Sequence, residues 1–348
     1  MFNRKDRPLA ASVRLCRRDR NRMVLTELVD GRGNMLSQEL GRTLIIANPA
    51  AHSGRGEGAA LFATRFFSSF RSVTSSCEVR LTEAPGDGLQ MAASAREYDS
   101  VIALGGDGVI HEVVNGLMSI PDESRPRLGV IPMGSGNDFA RTIAMTRNDP
   151  ERSISELLQG EECAIDLGKV NDVYFAETLS FGVDAAIALD TIERRANDTR
   201  QKGSALFVTS GLKMVSRGLS GWPYRAWIDG EEIEGINLVF AIQNGPTYGG
   251  GFRICPAAVP NDGLLDLCYN TTRPHVPHAL ALFGLIRVGR HTRSRRLILR
   301  QVRHVEIEFP GEEKPPCQVD GECLEANRYV IDVVPHVLRV LVPRSRTW

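Results

Sequence analysis

The chain has 348 residues, of which 42% are hydrophobic and 24% charged, as is typical of a globular protein with a substantial core. Its 42 basic and 42 acidic side chains cancel, so the overall charge does not favour nucleic acid, and no nucleic-acid partner is expected. The seven cysteines form no C-x-x-C pair, and no apolar stretch reaches the roughly 20 residues of a spanning helix, so a reduced, cytoplasmic protein is expected.

Residues 1–42 are predicted to form a basic N-terminal extension. Eight Lys or Arg side chains against two Asp occur between Met1 and Leu25, a pattern that would favour an anionic membrane surface. The simpler interpretations are a disordered tail, since charge runs are usually solvated, or a translation start at Met35. The first domain is therefore expected to begin at Thr43.

The first of three strand, turn and helix units begins with the apolar strand Thr43–Asn48. Pro49, Ser53 and Gly54 lie in the turn that follows, and a helix is predicted from Ala59 to Phe70. Such a turn is expected at the carboxyl ends of the strands, where ligands of open α/β sheets bind.

The second unit centres on a glycine-rich turn. The strand Val101–Leu104 enters Gly105–Gly108, with the sequence G-G-D-G, and a helix follows. Glycines let the backbone approach a ligand closely, and the N-terminus of a helix offers free N–H groups suited to phosphate. Asp107 could instead be the N-cap of the helix and accept from the amide of Val109 or Ile110. By itself, this turn indicates either an anion cradle or a structural turn.

The third unit repeats this pattern further along the chain. The strand Leu128–Ile131 runs into a turn that contains Gly134, Ser135 and Asn137, and a helix is predicted at Phe139–Ile143. Parallel strands that follow one another end at the same edge of a sheet, so the two glycine turns should lie side by side.

Residues 43–160 are predicted to form a Rossmann-like α/β domain with a mostly parallel sheet. This domain contains neither G-x-G-x-x-G nor the P-loop pattern, so the classical dinucleotide and P-loop folds are poorly supported.

Residues 161–348 are predicted to form a mostly antiparallel, β-sandwich-like domain with a few helices. Its predicted strands are Val173–Thr178, Tyr224–Ile228, Leu238–Gln243, Leu264–Cys268, Leu297–Val302, Val305–Phe309, Tyr329–Val333 and Val337–Val342. Helices are predicted at Ala185–Arg194, Ser204–Arg217 and His275–Val288. The last is apolar on more than one face, which indicates a core helix, with part of an acyl-chain cleft as the alternative.

Together, the turns and the residues around them resemble the catalytic domain of the diacylglycerol kinase family, which includes bacterial lipid kinases, sphingosine kinases and ceramide kinases. The residues that carry the resemblance are Asn48-Pro49 with Ser53-Gly54, Gly105-Gly106-Asp107-Gly108 with Glu112-Val113-Val114-Asn115-Gly116-Leu117, Pro132-x-Gly134-Ser135-x-Asn137-Asp138-Phe139-Ala140-Arg141, and Asp320-Gly321-Glu322. The resemblance covers nearly everything after residue 42. Each motif alone is common, whereas the combination is specific.

The resemblance implies a phosphotransferase that uses ATP and Mg²⁺, with its active site in the cleft between the domains. The nucleotide-binding residues that it implies are Asn48, Pro49, Ser53, Gly54, Thr82, Gly105, Gly106, Asp107, Gly108, Val109, Ile110, His111, Gly134, Ser135 and Asn137. It further implies a water-mediated Mg²⁺ network on Asp107, Asp138 and Asp166, and a structural metal held by Asp262 and the carbonyls of Val259 and Leu264. Taken singly, these acids could also be ordinary helix caps and turn residues.

The same resemblance implies that the Asp320-Gly321-Glu322 turn supplies the base, with Asp107 as a further catalytic residue. Periodicity does not distinguish the two acids of this turn. Glu322 is the preferred proton acceptor, and Asp320 is the alternative.

The expected reaction converts diacylglycerol to phosphatidic acid at a membrane surface to which the protein binds peripherally. Val109 stands where bacterial members of the family usually have Thr, and His111-Glu112 is closer to sphingosine kinases, so a sphingoid base or another lipid is the alternative acceptor. The remaining alternatives are an NAD kinase-like enzyme, which shares the G-G-D-G turn, and a non-catalytic nucleotide-binding module. A homodimer is considered as the assembly.

Overall fold

The computed structural model describes residues 39–69, 73–196, 203–216, 221–272, 275–346 and 348. Nearly all of the predicted basic extension, residues 1–38, lies outside the described residues, as do Phe70 and Arg217 at the ends of two predicted helices. In the part of the chain that the structure describes, no helix is long and apolar enough to cross a membrane.

A parallel sheet forms the first half of the structure, as the apolar runs predicted. Its strands are β1 (Gly41–Ala47), β2 (Thr74–Leu81), β3 (Ser100–Gly105) and β4 (Arg127–Pro132), which pair in the order β2-β1-β3-β4. All six residues of β3 are buried, because helices cover both faces of the sheet at its centre.

Five helices accompany this sheet: α1 (Ala51–Ser69), α2 (Asp87–Ala93), α3 (Asp107–Met118), α4 (Asp138–Thr142) and α5 (Pro150–Gln159). Helix α5 was not predicted, although its start carries clear signals. Asp149 caps it by accepting from the amide of Arg152 at 3.1 Å, and Pro150 stands at its first position.

Antiparallel strands dominate the second half. They are β5 (Glu161–Val170), β6 (Val173–Phe175), β7 (Thr178–Gly182), β8 (Trp222–Ile228), β9 (Glu231–Asn237), β10 (Val239–Gln243), β11 (Leu265–Tyr269), β12 (Ile298–Val302), β13 (His304–Glu308), β14 (Cys317–Val319), β15 (Glu322–Cys323) and β16 (Arg328–Val342). Strands β5 and β9 were not predicted, since Glu161–Val170 and Glu231–Asn237 contain several charged residues. The predicted strand Val173–Thr178 was wrong in its extent, because β6 ends at Phe175 and Thr178 begins β7 in the other sheet.

Two sheets result from these pairings. Ten strands form one continuous sheet in the order β2-β1-β3-β4-β16-β13-β8-β9, with β5 paired to β16 and β6 to β5. Six strands form the second sheet in the order β12-β11-β10-β7-β14-β15. An apolar core fills the space between the two sheets, where the rings of Phe181 and Tyr329 meet edge to face at 4.7 Å. The predicted fold class, a parallel α/β unit followed by an antiparallel β-sandwich-like unit, is confirmed.

Strand β16 corrects one detail of the prediction. Tyr329–Val333 and Val337–Val342 were expected to be separate strands, whereas they form one strand of 15 residues. The pairing with β5 shifts register between Val334 and Leu338, and His336 takes a φ of 50° there, so a bulge absorbs the break in the apolar pattern. The end of β16 lies parallel to β4 and packs in the core of the first half.

Three more helices form an outer layer: α6 (Val183–Ala196), α7 (Gly203–Ser216) and α8 (Val276–Arg287). They cover the outer face of the six-stranded sheet through a separate apolar cluster that includes Ile187, Phe207 and Leu282. Helix α8 was expected to be a core helix, and its inner side is buried, but much of its apolar surface is exposed.

Candidate active site

A cavity of about 290 Å³ lies where the two halves of the molecule meet. One wall is formed by the glycine turns at the ends of β3 and β4, and the facing wall by residues of the second half. Its lining includes Gly106, Asp107, Gly108, Ser135, Gly136 and Asp138 on one side, and Glu177, Thr178, Tyr248, Gln318, Asp320 and Glu322 on the other.

The second and third turns touch through their backbones. A Cβ atom at Gly134 would lie 2.6 Å from the Cα of Gly106, and a Cβ at Gly106 would lie 3.2 Å from the Cα of Gly134. Such a contact leaves no room for a side chain at Gly134, so glycine is required there for the two turns to form one surface.

The first turn lies beside the second. The amide of Asn48 donates to the carbonyl of Leu104 at 2.9 Å, and the side chain of Asn48 accepts from the amide of Ala50 at 2.9 Å. His52, Ser53 and Gly54 all have positive φ, with Gly54 at 85°, which kinks the start of α1. Asn48, Pro49, Ser53 and Gly54 stand along the same edge but do not line the cavity itself, and Thr82 stands at the end of the neighbouring strand β2.

Asp107 links the second turn to the third instead of capping its own helix. Its Oδ2 accepts from the amide of Asn137 at 2.7 Å, and its Oδ1 accepts from the amide of Asp138 at 2.9 Å. The alternative that Asp107 caps the amide of Val109 or Ile110 is therefore wrong, because no such capping bond is present at the start of α3. Burial, together with the nearby charge of Asp138, raises the pKa of Asp107 to about 7.

Asp138 is buried next to Asp107 and faces the second half of the molecule. Its Oδ2 accepts from the amide of Gly250 at 2.7 Å, and its Oδ1 accepts from the hydroxyl of Thr247 at 3.2 Å. Burial raises the pKa of this carboxyl as well. Two neighbouring acids that repel one another and line a cavity form an oxygen-rich, negative site, which suits Mg²⁺ bound through one or two carboxylates and the phosphates of a nucleotide.

Asp166, the third acid of the predicted network, occupies a different environment. It is buried in β5, and its oxygens accept from the amides of Gly263 and His336, each at 2.7 Å. Asp166 does not line the cavity, so the structure brings only Asp107 and Asp138 of the three together there. A direct role for Asp166 at the Mg²⁺ stays a prediction.

The loop of the predicted structural metal is closed by its own hydrogen bonds. Asp262 accepts from the amide of Leu264 at 3.0 Å and from the side chain of Gln301 at 2.9 Å, while Val259 lies in the same loop. Among the described residues, no three His, Cys, Asp or Glu side chains are grouped so as to hold a metal. A cation at this loop also stays a prediction.

The two acids of the D-G-E turn differ sharply in their surroundings. Asp320 is only 6% exposed, and its carboxylate accepts from the amides of Ala176 (2.9 Å), Glu177 (3.1 Å) and Thr178 (2.9 Å). The Nδ1 atom of His111 also lies 3.2 Å from Oδ2 of Asp320. With its lone pairs occupied in this way, Asp320 is suited to hold the turn in position.

Glu322 is exposed and lines the cavity opposite the G-G-D-G turn. One of its carboxylate oxygens would lie 3.6 Å from a Cβ atom built at Gly108. In the described part of the chain, this carboxylate accepts no hydrogen bond. Glu322 is therefore the acid of the turn that has free lone pairs facing the glycine turn.

His111 and Asn115 of helix α3 connect the two halves. Burial lowers the pKa of His111, but its hydrogen bond to Asp320 and the charge of Asp320 outweigh that effect, so the pKa is raised. Asn115 accepts from the amide of Tyr174 and donates to its carbonyl, both at 2.9 Å. Glu112 accepts from the amides of Gly86 and Gly88 and so fixes α2 on α3. These residues hold the cavity walls together.

Glu177 was missed by the sequence reasoning. It is 4% exposed, and its Oε1 accepts from the hydroxyl of Thr142 at 2.8 Å, while its buried Oε2 has no partner among the described residues. Burial, with the charges of Asp138 and Asp320, raises its pKa well above the usual value. No local motif marks this residue, because its surroundings come from elements distant in the chain.

A second, apolar cavity of about 50 Å³ lies under α8 and shares Tyr248 with the first. Its walls include Ile187, Leu282 and Ile286, and it contains one acid, Asp184. Burial raises the pKa of Asp184 to about 7, and Ser180 is close enough to offset part of that rise. Neither oxygen of Asp184 accepts a hydrogen bond of good geometry from the described residues.

Comparisons with known proteins agree with this architecture. Residues 42–170 match the family model described as diacylglycerol kinase catalytic domain, and residues 177–342 match the model described as YegS C-terminal NAD kinase beta sandwich-like domain. The protein named probable lipid kinase YegS-like of Yersinia enterocolitica is 31% identical over 268 residues, which are 76% of this chain and 86% of that protein.

Further relatives are of the same kind. The diacylglycerol kinase of Bacillus subtilis is 30% identical over 243 residues, which are 69% of this chain and 77% of that protein. A crystal structure of a diacylglycerol kinase from Bacillus anthracis superimposes with a TM-score of 0.67 at 21% identity, and the match covers 87% of this chain and 98% of that one. At that identity the structural match bears on the fold alone.

Proposed function

This chain belongs to the diacylglycerol kinase catalytic-domain family of lipid kinases, and from that premise we propose that it transfers the γ-phosphate of ATP to the hydroxyl of diacylglycerol. The observation that carries the proposal is the placement of Glu322, an acid with free lone pairs, across one cavity from the G-G-D-G turn. A phosphate cradle and a carboxylate base on opposite walls are what transfer to an alcohol requires.

The glycine turns would hold the phosphates. Gly106, Asp107 and Gly108 line the cavity at the N-terminus of α3, where the first backbone N–H groups of a helix have no partner within the helix and the helix end carries a partial positive charge. The contact between Gly106 and Gly134 keeps both turns on one surface, so the phosphates would meet preorganised donors that need no rearrangement.

Asp107 and Asp138 would hold Mg²⁺, which supplies charge neutralisation on the phosphates when bound. Both acids are buried side by side, and the amides of Asn137 and Asp138 fix the orientation of the Asp107 carboxylate. This fixed pair can direct a cation to the cavity edge without a change in the fold.

Glu322 would remove the proton of the acceptor hydroxyl. The acceptor oxygen then forms a bond to the γ-phosphorus, the bond between that phosphorus and the bridging oxygen breaks, and ADP leaves with the electron pair. Asp320 acts as a positioning residue, because its hydrogen bonds to Ala176–Thr178 and His111 hold the turn that carries Glu322.

A lipid acceptor is supported by the apolar cavity under α8. This cavity adjoins the first at Tyr248 and is lined mainly by aliphatic side chains, so at about 50 Å³ it could hold a short part of an acyl chain while the hydroxyl of the lipid reaches the first cavity. The acyl-chain cleft that the sequence allowed at this helix is thus retained as part of the proposal.

The test offers the purified protein labelled ATP and Mg²⁺ with each of several acceptors in detergent micelles: diacylglycerol, sphingosine, ceramide and phosphatidylglycerol, with NAD in a separate reaction. Labelled phosphatidic acid as the main product supports the proposal. Labelling of sphingosine or ceramide instead would overturn the choice of acceptor, and labelling of NAD alone would overturn the lipid proposal.

A further inference from the structure

Helix α8 exposes a row of large apolar side chains. Val276, Leu280, Leu285 and Val288 are exposed by 41%, 40%, 38% and 55%, whereas Ala279, Leu282 and Ile286 of the same segment are buried. Exposed aliphatic residues scattered singly need no explanation, but these four, with the exposed Ala281 and Gly284 between them, form a broad apolar strip over the outward half of α8 and its end. Such a strip indicates a surface that contacts another apolar phase.

The chain around this strip is exclusively basic. Between Leu267 and Val305 the sequence contains no Asp or Glu, and it contains eight Arg. Five of them lie within the apolar strip or directly after it and are exposed: Arg287, Arg290, Arg293, Arg295 and Arg296. Among the described residues, Arg300 pairs with Glu231 at 2.8 Å, but none of these five forms an ion pair.

This segment is strongly basic although the total charge of the chain is zero. In other parts of the described surface some arginines pair with acids, as Arg225 does with Glu232 and Glu234 at 3.1 and 2.9 Å, whereas the exposed Arg65 and Arg96 form no ion pair with described residues. Unpaired arginines next to exposed aliphatic side chains are complementary to a partner that is anionic at its surface and apolar just beneath it. A bilayer with anionic lipids has that layered chemistry.

The apolar cavity under α8 lies beside this basic segment. Arg296 and Leu297 line it from the basic segment, and Ala279 and Leu282 line it from the inner side of α8. Because Arg296 is exposed and also lines the cavity, the cavity borders the arginine surface at this residue. A lipid held at this surface would therefore stand next to the cavity.

We propose that the docking face, defined as Val276, Leu280, Leu285 and Val288 with Arg287, Arg290, Arg293 and Arg295, binds the surface of an anionic lipid bilayer. The aliphatic side chains enter the boundary between headgroups and acyl chains, and the arginines contact the lipid phosphates. The purpose of docking, which is to deliver the lipid acceptor to the cavity, rests on the proposed lipid kinase function. Docking itself is measured without catalysis.

The experiment measures cosedimentation of the full chain with vesicles of mixed phosphatidylcholine and phosphatidylglycerol, and with vesicles of phosphatidylcholine alone. Wild type should bind the anionic vesicles far better, and binding should weaken with added salt. The double variant R293Q/R295Q should weaken binding by roughly 10- to 30-fold, since each arginine near an anionic leaflet is worth about fivefold. L280S/L285S should weaken it several-fold through lost apolar contact.

Matched controls are available on the first half of the molecule. Arg65 and Arg96 are exposed there, as are Leu61 and Leu89 at 53% and 42%. R65Q/R96Q removes the same charge, and L61S/L89S removes a somewhat larger exposed apolar area, but both should leave vesicle binding within about twofold of wild type, since an exposed substitution away from an interface has little effect. All variants retain the basic residues 1–38, so any membrane binding by that segment is the same in the controls and in the docking-face variants.

Several outcomes would overturn the inference. Equal binding to both kinds of vesicle, or binding by R293Q/R295Q and L280S/L285S that equals the controls, would show that the docking face is not the membrane contact. Binding to a short DNA duplex that depends on Arg293 and Arg295, without vesicle binding, would make the face a nucleic-acid site. If the docking-face variants lose vesicle binding but neither wild type nor any variant phosphorylates a lipid, the docking proposal is supported and the proposed kinase function is wrong. If wild type and all variants phosphorylate lipid in micelles and the substitutions leave vesicle binding unchanged, the docking proposal is wrong and the proposed kinase function is retained.

Discussion

Replacing Glu322 by Gln tests the assignment of the base, because the substitution keeps the size and polarity of the side chain. Glu322 is exposed in the cavity and its carboxylate accepts no hydrogen bond from the described residues, so the substitution breaks no hydrogen bond of the described fold. We expect kcat to fall by roughly 10²- to 10⁴-fold, the usual contribution of a general base, which corresponds to about 3–5 kcal/mol in the barrier. The affinity for ATP should change little, because Glu322 acts on the acceptor.

The matched variant Asp320→Asn should behave differently. The carboxylate of Asp320 accepts three backbone amides, and an Asn side chain would turn an N–H₂ group toward some of them. Each hydrogen bond to a charged group contributes about 1.5–3 kcal/mol, so the protein should lose stability and the turn should lose its position. Thermal unfolding should therefore separate the variants, with a lower Tm for Asp320→Asn and an unchanged Tm for Glu322→Gln.

The assay follows ADP release in micelles of diacylglycerol at saturating ATP, and it reports kcat and KM for each variant together with Tm. Turnover by Glu322→Gln at the wild-type rate would refute the assignment of the base. If Asp320→Asn is inactive with its Tm preserved while Glu322→Gln is active, Asp320 is the base. If both variants are active, the cavity is not where the transfer takes place.

Three further predictions concern the walls of the cavities. Asp107→Asn should abolish turnover, because it removes a buried charge that would direct the cation, and it should still fold but with a lower Tm, because its N–H₂ group would face the amide of Asn137 or Asp138; normal activity at saturating Mg²⁺ would contradict this. Gly134→Ala should lower nucleotide affinity and stability, since its Cβ would stand 2.6 Å from the Cα of Gly106, whereas Gly58→Ala, with nothing within 4 Å, should be harmless in the same titration. Wild type should lose stability as pH rises from about 4 to about 7, because burial raises the pKa of the Asp184 carboxyl to about 7 in the folded state. Across that pH range, the free energy of unfolding of Asp184→Asn should fall by up to about 4 kcal/mol less than that of wild type. An equal fall in the two proteins would refute this prediction.

The sequence predicted the parts of the site that depend on local pattern. Buried apolar strands followed by glycine turns mark the three strand ends, and parallel strands must end at one edge, so the meeting of Gly106 and Gly134 was foreseeable. The fold class and the family followed from the same residues and are confirmed. The D-G-E motif was also identified, and the structure places its Asp320-Gly321 turn between β14 and β15.

What the sequence could not decide depends on contacts between distant residues. The difference between Asp320 and Glu322 arises because Ala176–Thr178, more than 140 positions earlier, donate to the first and not to the second. Glu177 carries no motif, and its raised pKa comes from burial among elements of both halves. The sequence pattern likewise divided β16 in two, because the bulge at His336 is set by pairing with β5 and by the hydrogen bond that the His336 amide donates to the carboxylate of Asp166.

The central claim is that lipid kinase chemistry takes place between the glycine turns and Glu322. Its most direct test is the transfer of label from γ-labelled ATP to diacylglycerol by purified wild type and by Glu322→Gln in the same micelles, with and without Mg²⁺. We predict labelled phosphatidic acid for wild type with Mg²⁺ and almost none for the variant. Wild type that binds ATP but leaves every lipid unlabelled, or a variant that labels diacylglycerol as fast as wild type, would contradict the claim.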